Sequence, residues 1–276
     1  MSNYGDYKHK TRDQTDPPGD KIGLLEIATL GVFGDYQANW FPEGSDCEKV
    51  AKTKLAQARK YLSLLFGVYK EGFVEIRSGK ESPKKQTWFD LSKAGWMDKL
   101  VAYAFHEEFH GNNVFVGVLP RSTPSGYQNS VKQAAVFWAD IDFKNTSLEE
   151  AKKLGIEAFD VIVKSGGGLH LYQLIEEPVS LEGVTRAKFK QRHEKLLQRI
   201  KSDPVQNFDR ILRLPGTTNF KPERATNGVQ PKVELVKWPG QKVVIKPEYK
   251  QGALMEVIPL DKSKAQKEEG LKEAFG

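Results

Sequence analysis

The chain has 276 residues, 39% of them hydrophobic, enough for a core in one large or two smaller domains and too apolar for fibrous or disordered classes. No run approaches the roughly 18 apolar residues of a membrane helix; the polar start MSNYGDYKHKTRDQTDPPGD is no secretory signal, and the single Cys47 excludes a disulfide framework or multi-cysteine zinc module. The formal charge is +6, but residues 181–250 hold 16 Lys plus Arg against 7 Asp plus Glu, a bias that fits a polyanion-facing surface or a solvated basic face.

Residues 1–20 read as a mobile tail, and 22–41 scatter apolar residues among glycines without defining an element. Apolar residues at helical spacing (Val50, Leu55, Ala58, Leu62, Leu65) predict a helix over about 45–66. GFVEIRSG (72–79) reads as a short strand. A second helix fits 91–109, with Trp96, Leu100, Tyr103 and Ala104 on one side and Gly111 as its stop. NVFVGVLPR (113–121) and VFWADIDF (136–143) read as strands. A short helix over 147–156 follows, with Ser147 as N-cap. Two strands joined by glycines fit 160–176, and a basic amphipathic helix fits 184–201. ILRLPGTTNF (211–220) starts as a strand and breaks at Pro215-Gly216. VELVKW and VVIKP (233–247) read as a closing hairpin, followed after about residue 260 by a charged tail. The pattern is a mixed α/β chain with an antiparallel component.

Three segments carry chemistry. In FWADIDF, strand alternation puts Asp140 and Asp142 on one face, with Phe137, Ala139, Ile141 and Phe143 on the other. Like charges two residues apart on an apolar strand suit a divalent cation with hard oxygen ligands, Mg²⁺ or Mn²⁺. The same short pattern also fits solvated aspartates at a strand end. Ser165-Gly166-Gly167-Gly168-Leu169-His170 lets backbone N–H groups approach an anion, or simply forms a flexible turn. In Asp209-Arg210-Ile211-Leu212-Arg213-Leu214-Pro215-Gly216-Thr217-Thr218-Asn219-Phe220-Lys221, alternation puts Asp209 and Arg213 on one face, with Lys221 a second cation past the turn.

Taken together and in this order, FWADIDFK, SGGGLHLY and DRILRLPGTTNFK resemble the active-site motifs of the archaeo-eukaryotic primase superfamily, in particular phage and plasmid primase-polymerases. The resemblance covers about residues 73–222. It implies an α/β (α+β) fold with an N-terminal αβ module (about 21–130) packed on a module resembling an RNA-recognition fold (131–260). The active site would lie in the cleft between them, with 261–276 as a tail or linker. It further implies that Asp140, Asp142 and Asp209 are catalytic and hold two divalent cations, Mg²⁺ or Mn²⁺. Ser165, Gly167, His170, Arg213 and Lys221 would contact the nucleoside triphosphate, with Arg121 and Arg77 as weaker candidates. The expected activity is template-directed nucleotidyl transfer on single-stranded DNA, as primase, polymerase or both. Trp238 would be free for base stacking. A replicative helicase, fused or separate, is the expected partner, no membrane is involved, and the setting is cytoplasmic (the host's, if phage-encoded).

Two other readings compete. His106-Glu107-Glu108-Phe109-His110 matches the H-E-x-x-H zinc-protease pattern, with Glu107 as general base. Gly111 and a strand follow at once, so the extended form of that motif is absent. A non-catalytic nucleic-acid-binding module would keep the basic segment without needing the three aspartates together.

Overall fold

The computed structural model describes residues 46–240. The two predicted tails, the unassigned stretch 22–41 and the VVIKP half of the closing hairpin lie outside the described residues.

Helix α1 (Asp46–Phe66) buries Ala58, Tyr61, Leu62, Leu65 and Phe66, a spacing that keeps one stripe on the core. Val50, predicted on that stripe, is exposed. Strands β1 (Phe73–Gly79) and β2 (Lys85–Asp90) form an antiparallel pair. No strand was predicted at β2, because Lys85 and Gln86 hide the apolar pair Trp88 and Phe89. Helix α2 (Trp96–Phe109) starts at Gly95 and is followed by Gly111, both with positive φ, so Gly111 stops the helix as predicted. Strand β3 is Asn113–Gly117.

Strand β4 (Gln133–Asp142) is buried along most of its length, which explains its near-continuous apolar sequence. Helix α3 (Leu148–Lys153) opens with a reciprocal capping box between Ser147 and Glu150, confirming the predicted cap. Strands β5 (Val161–Lys164) and β6 (Gly168–Ser180) flank the glycine turn. Helix α4 (Gly183–Arg199), β7 (Ile211–Arg213) and β8 (Glu234–Lys237) complete the elements that position the site.

The strands form two antiparallel sheets, ordered β2-β1-β3-β7 and β4-β6-β5-β8. The mixed α/β architecture is therefore as expected. The sheets do not divide the chain at a single point, however. β7 comes from the later half but pairs with β3, placing Arg213 beside Phe115. β8 pairs with β5. Both sheets share one buried core, and the Tyr61 hydroxyl donates to that of Tyr172 at 2.9 Å, tying α1 to β6.

As the edge of its sheet, β4 would leave backbone groups unpaired. The chain after α4 covers it. Asp203 N–H donates to Asp140 C=O at 2.9 Å, and Ser202 Oγ accepts from Asp140 N–H and donates to its C=O. Trp138 Nε1 donates to Val205 C=O at 2.8 Å. Among the described residues, no helix is long and apolar enough to cross a membrane.

Candidate active site

At the end of β4, Asp140 and Asp142 lie on the open face while Ile141 points into the core, as alternation predicted. In the β4–β6 ladder Asp140 stands opposite His170 and Asp142 opposite Gly168. Asp140 Oδ1 is 3.8 Å from His170 Nε2, and among the described residues no hydrogen-bond donor falls on its carboxylate. Burial raises the Asp140 pKa. Arg210 opposes that rise, Asp142 adds to it, and Arg213 and Lys221 pull it back. Three cations from the third motif segment therefore act on a carboxylate of the first.

Asp142 is engaged on both oxygens. Oδ1 accepts from Lys144 N–H at 2.9 Å, and Oδ2 from Arg224 Nη2 at 2.8 Å. Burial pushes its pKa up, but these two hydrogen bonds outweigh burial and hold the carboxyl below its ordinary value.

His170 is buried. Burial, followed by the charges of Arg213 and Arg210, drives its pKa down to about 3, so the ring is neutral. Its Nδ1 is buried with no partner. Burial likewise lowers the Arg213 pKa to about 10, which leaves it cationic. Arg213 Nη1 donates to Asn113 Oδ1 at 2.7 Å, and the guanidinium lies 4.7 Å from the Phe115 ring centre.

The glycine turn is fixed from both sides. Ser165 N–H donates to Gly168 C=O at 2.9 Å, and Ser165 C=O accepts from Asn219 Nδ2 at 3.0 Å, which docks the third motif on the second. A Cβ on Gly168 would meet Ile141 C=O at 1.8 Å, so only glycine lets β6 approach β4 here. Lys221 is exposed, at the start of a short 3₁₀ turn (Pro222–Arg224).

Four expectations need correction. Asp209 is not on the strand face of Arg213, because β7 begins only at Ile211. Its Oδ1 accepts from Asn207 Nδ2 at 2.7 Å, and Arg213 is bound to Asn113 instead. Arg121, expected near phosphate, is 0% exposed: it pairs with Glu75 Oε2 at 2.7 Å and donates to the C=O groups of Leu119, Phe208 and Asp209. It shapes the Asp209 turn from beneath, and Arg77 is tied to Glu75 and Gly126 C=O. Trp238 is partly buried against the core and so is not a free stacking platform. Finally, Glu107 of the H-E-x-x-H string is buried and accepts from Ser78, Lys85 and Asn112, so it is no free general base.

Asp203, Arg210 and Arg224 escaped the sequence reading. Asp203 is raised by burial and then by the charge of Asp140, with Asp142 adding to it. Arg210 feels the carboxylates of Asp140, Asp209 and Asp203, and its Nε is buried without a partner. Its place beside Asp209 in the motif was the available signal. Arg224 had none.

Among the described residues, no three His, Cys, Asp or Glu side chains form a group that could hold a metal ion. The expected trio of Asp140, Asp142 and Asp209 is therefore not drawn around one point. Asp140 and Asp142 are two hard-oxygen groups of the kind a divalent cation takes; Asp142 raises the Asp140 pKa, and among the described residues no donor falls on the Asp140 carboxylate. Mg²⁺ commonly takes one or two carboxylates and completes its shell with water and phosphate.

No protein-family model and no curated protein matches the chain. Among solved structures, it is similar to the AEP domain of the cyanophage S-2L primase-polymerase, with TM-score 0.48 and 14% identity over 67% of this chain and 91% of that one. It is also similar to the primase RepB′ (TM-score 0.44, 16% identity, 80% of this chain and 68% of that one). The third is the RepB′ catalytic domain in complex with initiator DNA (TM-score 0.43, 14% identity, 79% of this chain and 98% of that one). The neighbours are thus a primase-polymerase domain and two structures of a primase.

Proposed function

We propose that the chain is a template-directed nucleotidyltransferase of the primase-polymerase kind, acting on single-stranded DNA with nucleoside triphosphates and Mg²⁺ or Mn²⁺. The observation that carries this reading is the environment of Asp140. A carboxylate without donors among the described residues stands against a neutral His170, and its pKa is raised by burial and by Asp142 against the pull of Arg210, Arg213 and Lys221. Paired carboxylates beside a cluster of cations suit a reaction in which a polyphosphate must be held and its charge balanced.

Asp140 and Asp142 would hold the cation, which supplies charge stabilisation at the attacked phosphorus and the departing pyrophosphate. Arg213 is fixed by Asn113 and Phe115, so it presents a pre-positioned charge to phosphate oxygens. Lys221, exposed and long, adds a second, adaptable charge. His170 supplies one N–H donor without a net charge, so it can orient a phosphate oxygen without competing for the cation. Helix α4 exposes Lys188, Lys190, Arg192, Lys195 and Arg199, a basic surface suited to a nucleic-acid backbone.

The test is incorporation of labelled nucleotides on unprimed and primed single-stranded templates with each metal. Asp140→Ala or Asp142→Ala should abolish incorporation while DNA binding, followed by fluorescence anisotropy, stays largely intact. Undiminished synthesis in either variant would sink the assignment. Products on unprimed template would establish priming, and the same assay with deoxy- and ribonucleotides reads sugar preference.

A further inference from the structure

Arg224 lies outside the motif strings, yet its guanidinium sits between two of them. Nη2 donates to Asp142 Oδ2 at 2.8 Å and Nη1 to Gly167 C=O at 3.2 Å. It also lies directly over the glycine turn, where a Cβ on Gly167 would come within 2.5 Å of its Cζ. The Arg224 side chain is 16% exposed and that of Asp142 28%, so the pair is neither sealed in the core nor fully hydrated.

Arg224 itself belongs to no strand. It closes a short 3₁₀ turn in the segment 218–232, which lies outside both sheets; the segment is pinned at its start by Thr218 on Glu108, Asn219 on Ser165 C=O and Phe220 N–H on Asn113, and beyond that by isolated bridges pairing Thr218 with Lys232 and Thr226 with Val229. Its long side chain can therefore change partner without disturbing a sheet. Arg224 also repels Arg213, contributing after burial to the lowered pKa of that residue. A polyanion lying between two neighbouring guanidiniums would remove this repulsion.

Asp142 presents a conflict. Lys144 N–H and Arg224 already engage its two oxygens, so a cation arriving there competes with a guanidinium. A triphosphate offers that guanidinium several anionic oxygens in a fork-matching geometry. We propose that Arg224 is a phosphate-binding residue that shares Asp142 with the divalent cation. It rests on Asp142 Oδ2 and transfers to the triphosphate when nucleotide and cation bind together. This deepens the nucleotidyl-transfer reading above and rests on it.

The proposal predicts effects of opposite sign. In Arg224→Ala, Mn²⁺ binding measured without nucleotide, by electron paramagnetic resonance or calorimetry, should tighten by about threefold or more, because Asp142 loses a competitor. The KM for nucleotide should rise by about tenfold, with a smaller change in kcat, because a charge-assisted contact is lost. A residue that merely braced the glycine turn would weaken both. Gly167→Ala is the second variant: its methyl group displaces the guanidinium while Arg224 itself is kept, and it should shift both quantities the same way. Arg224→Lys should recover part of the KM. Mn²⁺ affinity that is unchanged or weaker in both Arg224→Ala and Gly167→Ala overturns the shared-Asp142 proposal, even if synthesis by the wild type is normal. A wild type that binds no Mn²⁺ and incorporates no nucleotide overturns the underlying reading and this proposal with it.

Discussion

Around β1 and α2, each buried carboxylate has its cation or its hydrogen bonds. Glu75 is held by Arg121 and Arg77, Glu107 by Lys85, Ser78 and Asn112, and Glu108 by Lys54 and Thr218. At the end of β4, Asp140 lies beside Asp142 and within the field of Asp203; among the described residues no donor falls on its carboxylate, and His170 Nδ1 and Arg210 Nε are buried and unpartnered. In the first region charge is spent on holding the chain together; in the second it is left for something else. Saturation of the carboxylates, rather than the presence of charged residues, separates scaffold from site here. Arg121 Nε is also unpartnered, but the rest of that guanidinium makes four hydrogen bonds, so the contrast holds at the level of the whole group.

The sharpest way to break this contrast is to remove a saturated charge. Arg121→Ala leaves Glu75 buried with only Arg77 and releases the carbonyls of Phe208 and Asp209. It should lower the unfolding free energy by about 3–5 kcal/mol in urea titrations. A variant as stable as the wild type would show that the pair is not the strut described here.

A second test uses pH. Burial lowers the His170 pKa to about 3 and that of His193 to about 4, each from an ordinary value of 6.5. In the unfolded chain both rings take up protons as pH falls through 6.5, while the native rings stay neutral. Their contribution to stability is therefore full above that value and is lost progressively as pH falls toward 4 and 3. The midpoint of thermal unfolding should drop over this window, and His193→Gln should flatten the slope. A slope unaffected by that variant would remove His193 from the account.

The smallest effect belongs to the unsaturated side. Asp140→Asn removes a half-buried charge that Asp142 disfavours, so it should leave stability unchanged or raise it by about 1 kcal/mol, even as incorporation is lost. A clear loss of stability would place Asp140 with the scaffold carboxylates.

Much of the site was legible because it follows strand alternation. The D-x-D pair faces outward with Ile141 inward, and the glycine turn and His170 lie where a β-hairpin puts them. Alternation misled at Asp209, where the strand was shorter than the motif suggested. Arg121 was misread because local sequence does not say whether an arginine after a strand points to solvent or lies under a turn 87 residues away. Arg224 was invisible for a similar reason: its contact with Asp142 spans 82 residues and follows no periodicity. Edge strand β2 was missed because its polar end faces solvent, so it lacks the apolar run that marked β4.

The pairing of β7 with β3 bears on when the site comes into being. Arg213 meets Asn113 across 100 residues, whereas Asp140 and His170 stand opposite each other on adjacent strands much closer in sequence. Contacts of such long sequence separation form slowly, because the intervening chain must first be ordered. During synthesis the carboxylate and imidazole can be in register well before the guanidinium is made. A half-finished chain therefore has Asp140 facing His170 before Arg213 exists, and Arg213 reaches Asn113 only when the last strand of the first sheet has closed.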